Sequence, residues 1–297
     1  MDRRAFLGAL GTAAGVAVGG DALAQRAGTG APAAPTRRRG RLKQGLWRVN
    51  FGEDTTLSFD DMCREAARLG VHGFDLIGPE DWPTLRRHGL EPLLVGTGGV
   101  TFEDGIIHPE VHDEIEASIR PYIDMCAAEG IRTIITIGGQ RRGMPFAEGA
   151  NNAVAFLNRI KSQLEDRGVT IAIENMNNRR TDPRFGREDQ IFGHWDWGVD
   201  VCERVGSPNV KINWDLYHMQ VTEGDLCRRL EQGFHQVGYL QIADNPGRNE
   251  PGTGEVAWSR VLRAAKELGY DGYVGLECRP KDGERRAAER ILAADSF

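Results

Sequence analysis

After residue 40 the chain alternates, eight times over, between a short apolar or β-branched run and a stretch whose apolar residues recur at helical spacing. The short runs cover 46–52, 74–77, 92–95, 133–137, 169–174, 210–214, 237–242 and 273–277. Each is too short for a helix and reads as a buried strand. The first intervening helix starts at Ser58, a good N-cap, and places Phe59, Met62, Cys63, Ala66 and Leu69 on one face. A long helix after the third run does the same with Ile115, Ile119, Tyr122, Ile123 and Cys126. Further helices are predicted after Pro83 and around 153–164, 197–205, 226–234, 257–268 and 284–293. Eight strand–helix units in a row predict an α/β fold, a parallel (β/α)8 TIM barrel over residues 41–297, close to the typical barrel length of about 250 residues. An open doubly wound sheet would carry a glycine-rich phosphate loop after its first strand, but this chain has Phe51-Gly52-Glu53-Asp54 there.

The residues ahead of the barrel read as an address. Arg3-Arg4 precede Phe6-Leu7, a small-residue apolar stretch follows, and Ala22-Leu23-Ala24 resembles a cleavage site. Residues 1–24 are therefore expected to be a twin-arginine-type signal peptide, and the mature protein is expected in the periplasm without a membrane span. Residues 25–40, rich in Ala, Pro, Gly and Arg, are expected to form a flexible linker. A net charge of −6 argues against a nucleic-acid partner. Five cysteines with no CxxC pair fit neither a disulfide framework nor a zinc cage, so buried free thiols are expected.

In a barrel, chemistry gathers at the C-terminal ends of the strands. The last four strands end on, or carry near their ends, Glu174, Asp215, Gln241 and Glu277. A carboxylate in such an apolar setting costs several kcal/mol unless its charge is compensated. Three of them converging on one mouth, joined by an amide oxygen, suit one divalent metal ion. An all-oxygen donor set favours Mn²⁺ or Mg²⁺.

The segment Gln241-Ile242-Ala243-Asp244-Asn245-Pro246-Gly247-Arg248-Asn249-Glu250-Pro251-Gly252-Thr253-Gly254-Glu255 resembles the matching part of hydroxypyruvate isomerases. So do the segments Asp215–Gln220 and Gly269–Glu277. These enzymes belong to the wider xylose-isomerase-like sugar isomerases and epimerases. The resemblance implies that Glu174, Asp215, Gln241 and Glu277 ligate the metal and that Glu174 and Glu277 are also the catalytic acid/base pair. It implies substrate-binding roles for His218 and Arg248, with Asn177 in a polar position shortly after Glu174. The chain departs from the family at the end of the third strand, where it has Gly96-Thr97-Gly98-Gly99 instead of a His-Asn type segment.

The expected reaction is isomerisation of a sugar or keto acid by proton transfer through a metal-bound enediolate. An exported enzyme should meet unphosphorylated sugars, keto-sugars or sugar acids. Alternatives are a ketose 3-epimerase, a lyase or dehydratase acting on keto-sugars, and an inactive sugar-binding barrel; a homo-oligomer is open. The arginine-rich loop 178–193 is expected to be solvated, with a lid as the sharper alternative. Trp195 and Trp197 are expected to pack. His108 and His112, spaced as on one helix face, are expected at the surface.

Overall fold

The computed structural model describes residues 42–179, 189–281, 286–295 and 297. The signal and linker residues, Arg180, Arg184 and Arg187 lie outside them.

Nine strand segments run parallel in the order β3-β2-β1-β9-β8-β7-β6-β5-β4. They are β1 (Lys43–Trp47), β2 (Gly73–Asp75), β3 (Glu91–Pro92), β4 (Val95–Gly96), β5 (Thr133–Ile137), β6 (Thr170–Glu174), β7 (Val210–Asp215), β8 (Val237–Ile242) and β9 (Tyr273–Leu276). The two edges of this order, β3 and β4, are consecutive in the chain. Leu93 N and Leu76 N bond to Phe74 O and Leu94 O across the break. The third barrel strand is thus one interrupted stretch, and the sheet closes on itself as a (β/α)8 barrel.

The helices are α1 (Phe59–Leu69), α2 (Trp82–Arg87), α3 (His112–Ala128), α4 (Phe146–Arg167), α5 (Trp195–Val205), α6 (Leu216–Thr222), α7 (Leu226–Gly233), α8 (Trp258–Glu267) and α9 (Arg286–Ala294). Ser58 caps α1 as expected, its hydroxyl accepting from Asp61 N, and Met62, Cys63, Ala66 and Leu69 are buried. Ile115, Ile119, Ile123 and Cys126 of α3 are buried in the same way. Cys63, Cys126, Cys202 and Cys278 are buried free thiols, whereas Cys227 is half-buried. Trp195 and Trp197 are packing residues, and the Trp195 ring lies 4.4 Å from that of Trp214.

Three expectations need correction. The first strand is Lys43–Trp47, and residues 48–51 turn into a 3-10 helix. The cause is local: Asn50 Oδ1 accepts from Trp47 N at 2.6 Å and ends the extended run. An unexpected short helix, α6, follows β7 directly because the Asp215 carboxylate caps it. His108 and His112 are buried, not surface residues. His108 lies in a turn before α3, where Nδ1 accepts from Gly105 N, and His112 Nε2 lies 2.9 Å from Ile106 O. Backbone groups of the loop before α3 supply partners that helical spacing alone does not reveal.

Candidate metal and active site

The register β6–β7–β8–β9 aligns Glu174 with Asn213, Asp215 with Gln241, and Gln241 with Gly275. Asn213 and Asp215, two residues apart, share one face of β7; Tyr239 and Gln241 do so on β8. Glu277 follows β9. The strand ends therefore bring the polar residues to one mouth.

Asp215 is the most constrained of them. Asn175 brackets its backbone, accepting from Asp215 N at 2.9 Å and donating to Asp215 O at 3.0 Å. Its Oδ1 accepts from Tyr217 N and His218 N at 2.8 and 3.0 Å. Its Oδ2 accepts from Arg248 Nη2 at 2.9 Å, and the same nitrogen lies 2.8 Å from Glu277 Oε1. Arg248 is buried, so it is no solvated loop charge. It sits at φ 57°, an uncommon conformation for a residue with a side chain. Its backbone N donates to Asp244 O, and its carbonyl accepts from Arg279 N. The Asp244 carboxylate gathers the rest of the loop, accepting from the backbone N–H groups of Asn245, Gly252, Thr253 and Val256.

His218, on the first turn of α6, faces Asp215 Oδ2 from 3.6 Å, beyond an ordinary hydrogen bond. Its Nδ1 lies 2.7 Å from Asn177 Nδ2. An amide NH₂ can only donate, so Nδ1 accepts and Nε2 carries the hydrogen. That N–H is buried and has no hydrogen-bond partner. Asn177 thus stands against His218 and sets its tautomer.

Burial raises the pKa of Glu174 well above the ordinary carboxyl value, and neighbouring Glu277 and Asp215 add to this against Arg248. Burial likewise raises Asp215, opposed by Arg248 and the two capping N–H groups. Glu277 is pushed up to about 7 by burial, with Arg248 as the main opposing influence. Burial, then the Arg248 charge, holds His218 well below its usual value, so its imidazole is neutral. Burial pulls the Arg248 guanidinium down, but the three carboxylates outweigh it and keep it charged.

Three carboxylates facing one guanidinium leave two negative charges when all are ionised, which a divalent cation would balance. Ligand atoms of Glu174, Asp215 and His218 lie within 4.8 Å of one another. This is near the span of about 4 Å across the shell of a small divalent ion. Gln241 Nε2 is buried without a hydrogen bond, while its Oε1 accepts from Asn213 Nδ2. The donor set fits a divalent cation: Glu174 and Asp215 lie within reach of one ion, with Glu277 and the Gln241 amide on the neighbouring strands, whereas His218, with its hydrogen on Nε2, offers that ion no lone pair.

The strand-end reading overlooked Asp75, which closes β2 and is buried in the barrel. Its Oδ1 accepts from the Tyr239 hydroxyl at 2.5 Å. Burial pushes its carboxyl up to about 8 against that hydrogen bond. The lone acid at the end of Gly73-Phe74-Asp75 was the available signal. Beyond the site, Asn178 and Gln190 form a reciprocal pair, Nδ2 to O at 2.8 Å and N to Oδ1 at 2.6 Å, that joins the two ends of the arginine-rich loop.

Comparison with known proteins places this geometry. A 2-oxo-tetronate isomerase from Cupriavidus necator is 37% identical over 116 residues, covering 39% of this chain and 42% of that protein. The match thus spans under half the length of that relative. A putative hydroxypyruvate isomerase from Xenopus laevis is 33% identical over 207 residues, covering 66% of this chain and 74% of that protein. Among solved structures, a family 2 AP endonuclease from Brucella melitensis superposes with a TM-score of 0.73 at 23% identity. It covers 83% of this chain and 96% of the other, a likeness of fold. The family profile described as xylose isomerase-like TIM barrel matches residues 63–294, and the chain belongs to that family.

Proposed function

We propose that this protein is a divalent-metal-dependent isomerase of α-hydroxy carbonyl compounds, with a small 2-keto acid as the favoured substrate class. The observation that carries the reading is the single Arg248 nitrogen set against both Asp215 and Glu277 inside a buried acidic mouth. A guanidinium there is suited to a substrate carboxylate, which it can grip through two parallel hydrogen bonds. The relatives are named as isomerases of 2-oxo-tetronate and hydroxypyruvate, both 2-oxo acids. A divalent cation held by Glu174, Asp215, Gln241 and Glu277, Mn²⁺ or Mg²⁺ by its oxygen donors, would polarise the adjacent carbonyl and hydroxyl oxygens of such a substrate.

The chain's own residues supply the remaining chemistry. Glu174 and Glu277 come from β6 and the end of β9, on opposite sides of Asp215 and Gln241. One carboxylate removes a proton from the carbon bearing the hydroxyl, and the other carboxyl returns a proton to the neighbouring carbon. Glu277, pushed up to about 7, can hold and release protons at working pH, and burial raises Glu174 in the same direction. His218 Nε2–H, held in that tautomer by Asn177, is placed to donate to a substrate oxygen. Proton return to the same carbon from the other face would give epimerisation; loss of a neighbouring hydroxyl would make the enzyme a lyase or dehydratase.

The test is a screen of the purified, Mn²⁺-loaded protein against 2-keto acids, ketoses and 3-keto-glycosides. Turnover of a 3-hydroxy-2-keto acid to its 2-hydroxy-3-oxo isomer is expected. Activity confined to neutral ketoses would displace the keto-acid reading in favour of an epimerase.

A further inference from the structure

Asp75 has no place in the proton transfers above, yet the barrel is built around its carboxylate. Gly45 on the adjacent β1 and Gly275 on β9, one strand further round the barrel, leave the needed space. A Cβ added at Gly275 would lie 1.9 Å from Asp75 Oδ2. At Gly45 it would lie 3.4 Å from Oδ1 and 2.4 Å from Leu93 Cδ1. Glycine at position 275 is therefore a steric requirement of the carboxylate, not of a turn. The Tyr239 hydroxyl fixes Oδ1 from β8. Oδ2 remains, buried and without a hydrogen bond of ordinary length.

The side chain nearest in role is Gln241, two residues after Tyr239 on the same face of β8. Its amide lies close enough to the Asp75 carboxyl to favour the charged form, as the Tyr239 hydroxyl does, although no hydrogen bond is formed between Nε2 and Oδ2. Gln241 Nε2 is itself buried without a bonded acceptor, and Oε1 is fixed by Asn213 Nδ2. A buried glutamine amide can sit in two orientations that differ by exchange of O and N. Asn213 offers a donor on one side and Asp75 an acceptor on the other, so only one orientation satisfies both. A carbonyl oxygen has two lone pairs, and Asn213 uses one.

We propose that Asp75 is a positioning residue that holds the Gln241 amide by its nitrogen, so that the free lone pair of Oε1 is presented to the divalent cation. The inference rests on the reading of Gln241 as a metal ligand. A carboxyl oxygen accepting from the amide nitrogen also shifts electron density toward Oε1, making a neutral amide a better donor to a hard cation. Carboxylates behind ligating groups orient and strengthen them in this way, and their loss commonly weakens metal binding about 10–100-fold.

The experiment is a double-mutant cycle read by Mn²⁺ titration, using calorimetry and the electron paramagnetic resonance of free Mn²⁺. Asp75→Asn should weaken Mn²⁺ binding about 10–100-fold in the parent background. In a Gln241→Ala background the same substitution should have little further effect. Tyr239→Phe, which keeps the carboxyl and removes only its anchor, should weaken binding in the same direction by a smaller factor. It also provides the test should Asp75→Asn not fold. Equal weakening by Asp75→Asn with and without Gln241 would overturn the proposal, since Asp75 would then act as a distant charge. So would unchanged Mn²⁺ affinity in Asp75→Asn and Tyr239→Phe. Failure of the parent to bind Mn²⁺ would instead count against the metal-dependent reading itself.

Discussion

Asn177 Nδ2 stands 2.7 Å from His218 Nδ1, and this one contact decides what His218 can do. With Nδ1 accepting, Nε2 carries the hydrogen and points into the acidic mouth as a donor, 3.6 Å from Asp215 Oδ2. Asn177→Asp should reverse this. A carboxylate would draw the hydrogen to Nδ1, expose the Nε2 lone pair and raise the imidazole pKa. Nitrogen-15 spectra of the ring should show the Nε2–H form in the parent and lose it in the variant. Turnover should fall about 10–100-fold, the usual effect of disturbing the partner of a site histidine. A parent spectrum showing Nδ1–H would make His218 a metal ligand rather than a donor to substrate.

A metal ion bound by Asp215 and Glu277 would contend with Arg248 for their carboxylate oxygens. Arg248→Met removes a positive charge that lies 2.9 and 2.8 Å from Asp215 and Glu277. Mn²⁺ should bind more tightly to the variant, because its ligands no longer serve the guanidinium. In the presence of chelator the variant should be less stable, by of the order of 3 kcal/mol, since buried carboxylates lose their counter-charge. Urea denaturation with and without Mn²⁺ separates the two effects. Tighter metal binding together with lost turnover of 2-keto acids would agree with a role on the substrate carboxylate. Unchanged KM for such acids would remove that role.

The placement of this candidate site was largely legible in the sequence, because barrel strands present their C-terminal ends at one mouth and those ends are short enough to read. Glu174, Asp215 and Gln241 lie at the ends of β6, β7 and β8 and Glu277 just after β9. Asp75 obeys the same rule at the end of β2 but stood alone in a three-residue strand, with no consecutive neighbour to give it a pattern. Its meaning depends on Tyr239, 164 positions away, and on two glycines whose contribution is empty space. The burial of His108 and His112 was hidden for a similar reason: backbone groups satisfy them, and periodicity carries no record of those. The interruption of the third strand between Pro92 and Val95 was equally invisible in an unbroken apolar run.

The pH dependence of stability should change sign with metal. Glu277 is raised to about 7 and Asp75 to about 8, each chiefly by burial. A carboxyl whose folded pKa exceeds its unfolded value of about 4 holds its proton more tightly when folded. Its favourable contribution is present below the unfolded pKa and is lost as pH rises to the folded pKa. In chelator the melting temperature should therefore decline from about pH 4 to about pH 8 on this account. Mn²⁺ needs ionised ligands, so the increment it adds should grow across the same range. Asp75→Asn should flatten the upper part of the chelator curve. A melting temperature in chelator that rises steadily from pH 5 to 8 would contradict the assigned burial.

Export is a separate expectation, resting on residues outside the described structure. Among the described residues, no helix is long and apolar enough to cross a membrane. Replacing Arg3 and Arg4 by Lys should trap the precursor in the cytoplasm, and the mature form should begin near Gln25. Immunoblots of periplasmic and cytoplasmic fractions provide the measurement; undiminished export of the double variant would exclude the twin-arginine route.

The acid/base pair carries the enzymatic reading. Glu174 is buried and Glu277 is partly so; the two carboxyls repel, and Arg248 opposes the upward shift in both. Replacing either by Gln keeps the shape and one oxygen donor but removes the group that holds the proton. Metal binding should weaken without vanishing, and turnover should fall by about 10²–10⁴, as expected for loss of a general acid or base. The double variant should cost far less than the product of the single effects, since both groups serve one proton-transfer sequence. Solvent exchange distinguishes the two roles. In D₂O the parent should place deuterium on the carbon beside the carbonyl. The variant lacking the first base should stop that exchange, whereas the variant lacking the returning acid should still exchange the substrate proton without forming product. If both variants bind Mn²⁺ yet turn over and exchange like the parent, neither glutamate moves a proton and another group must be the base.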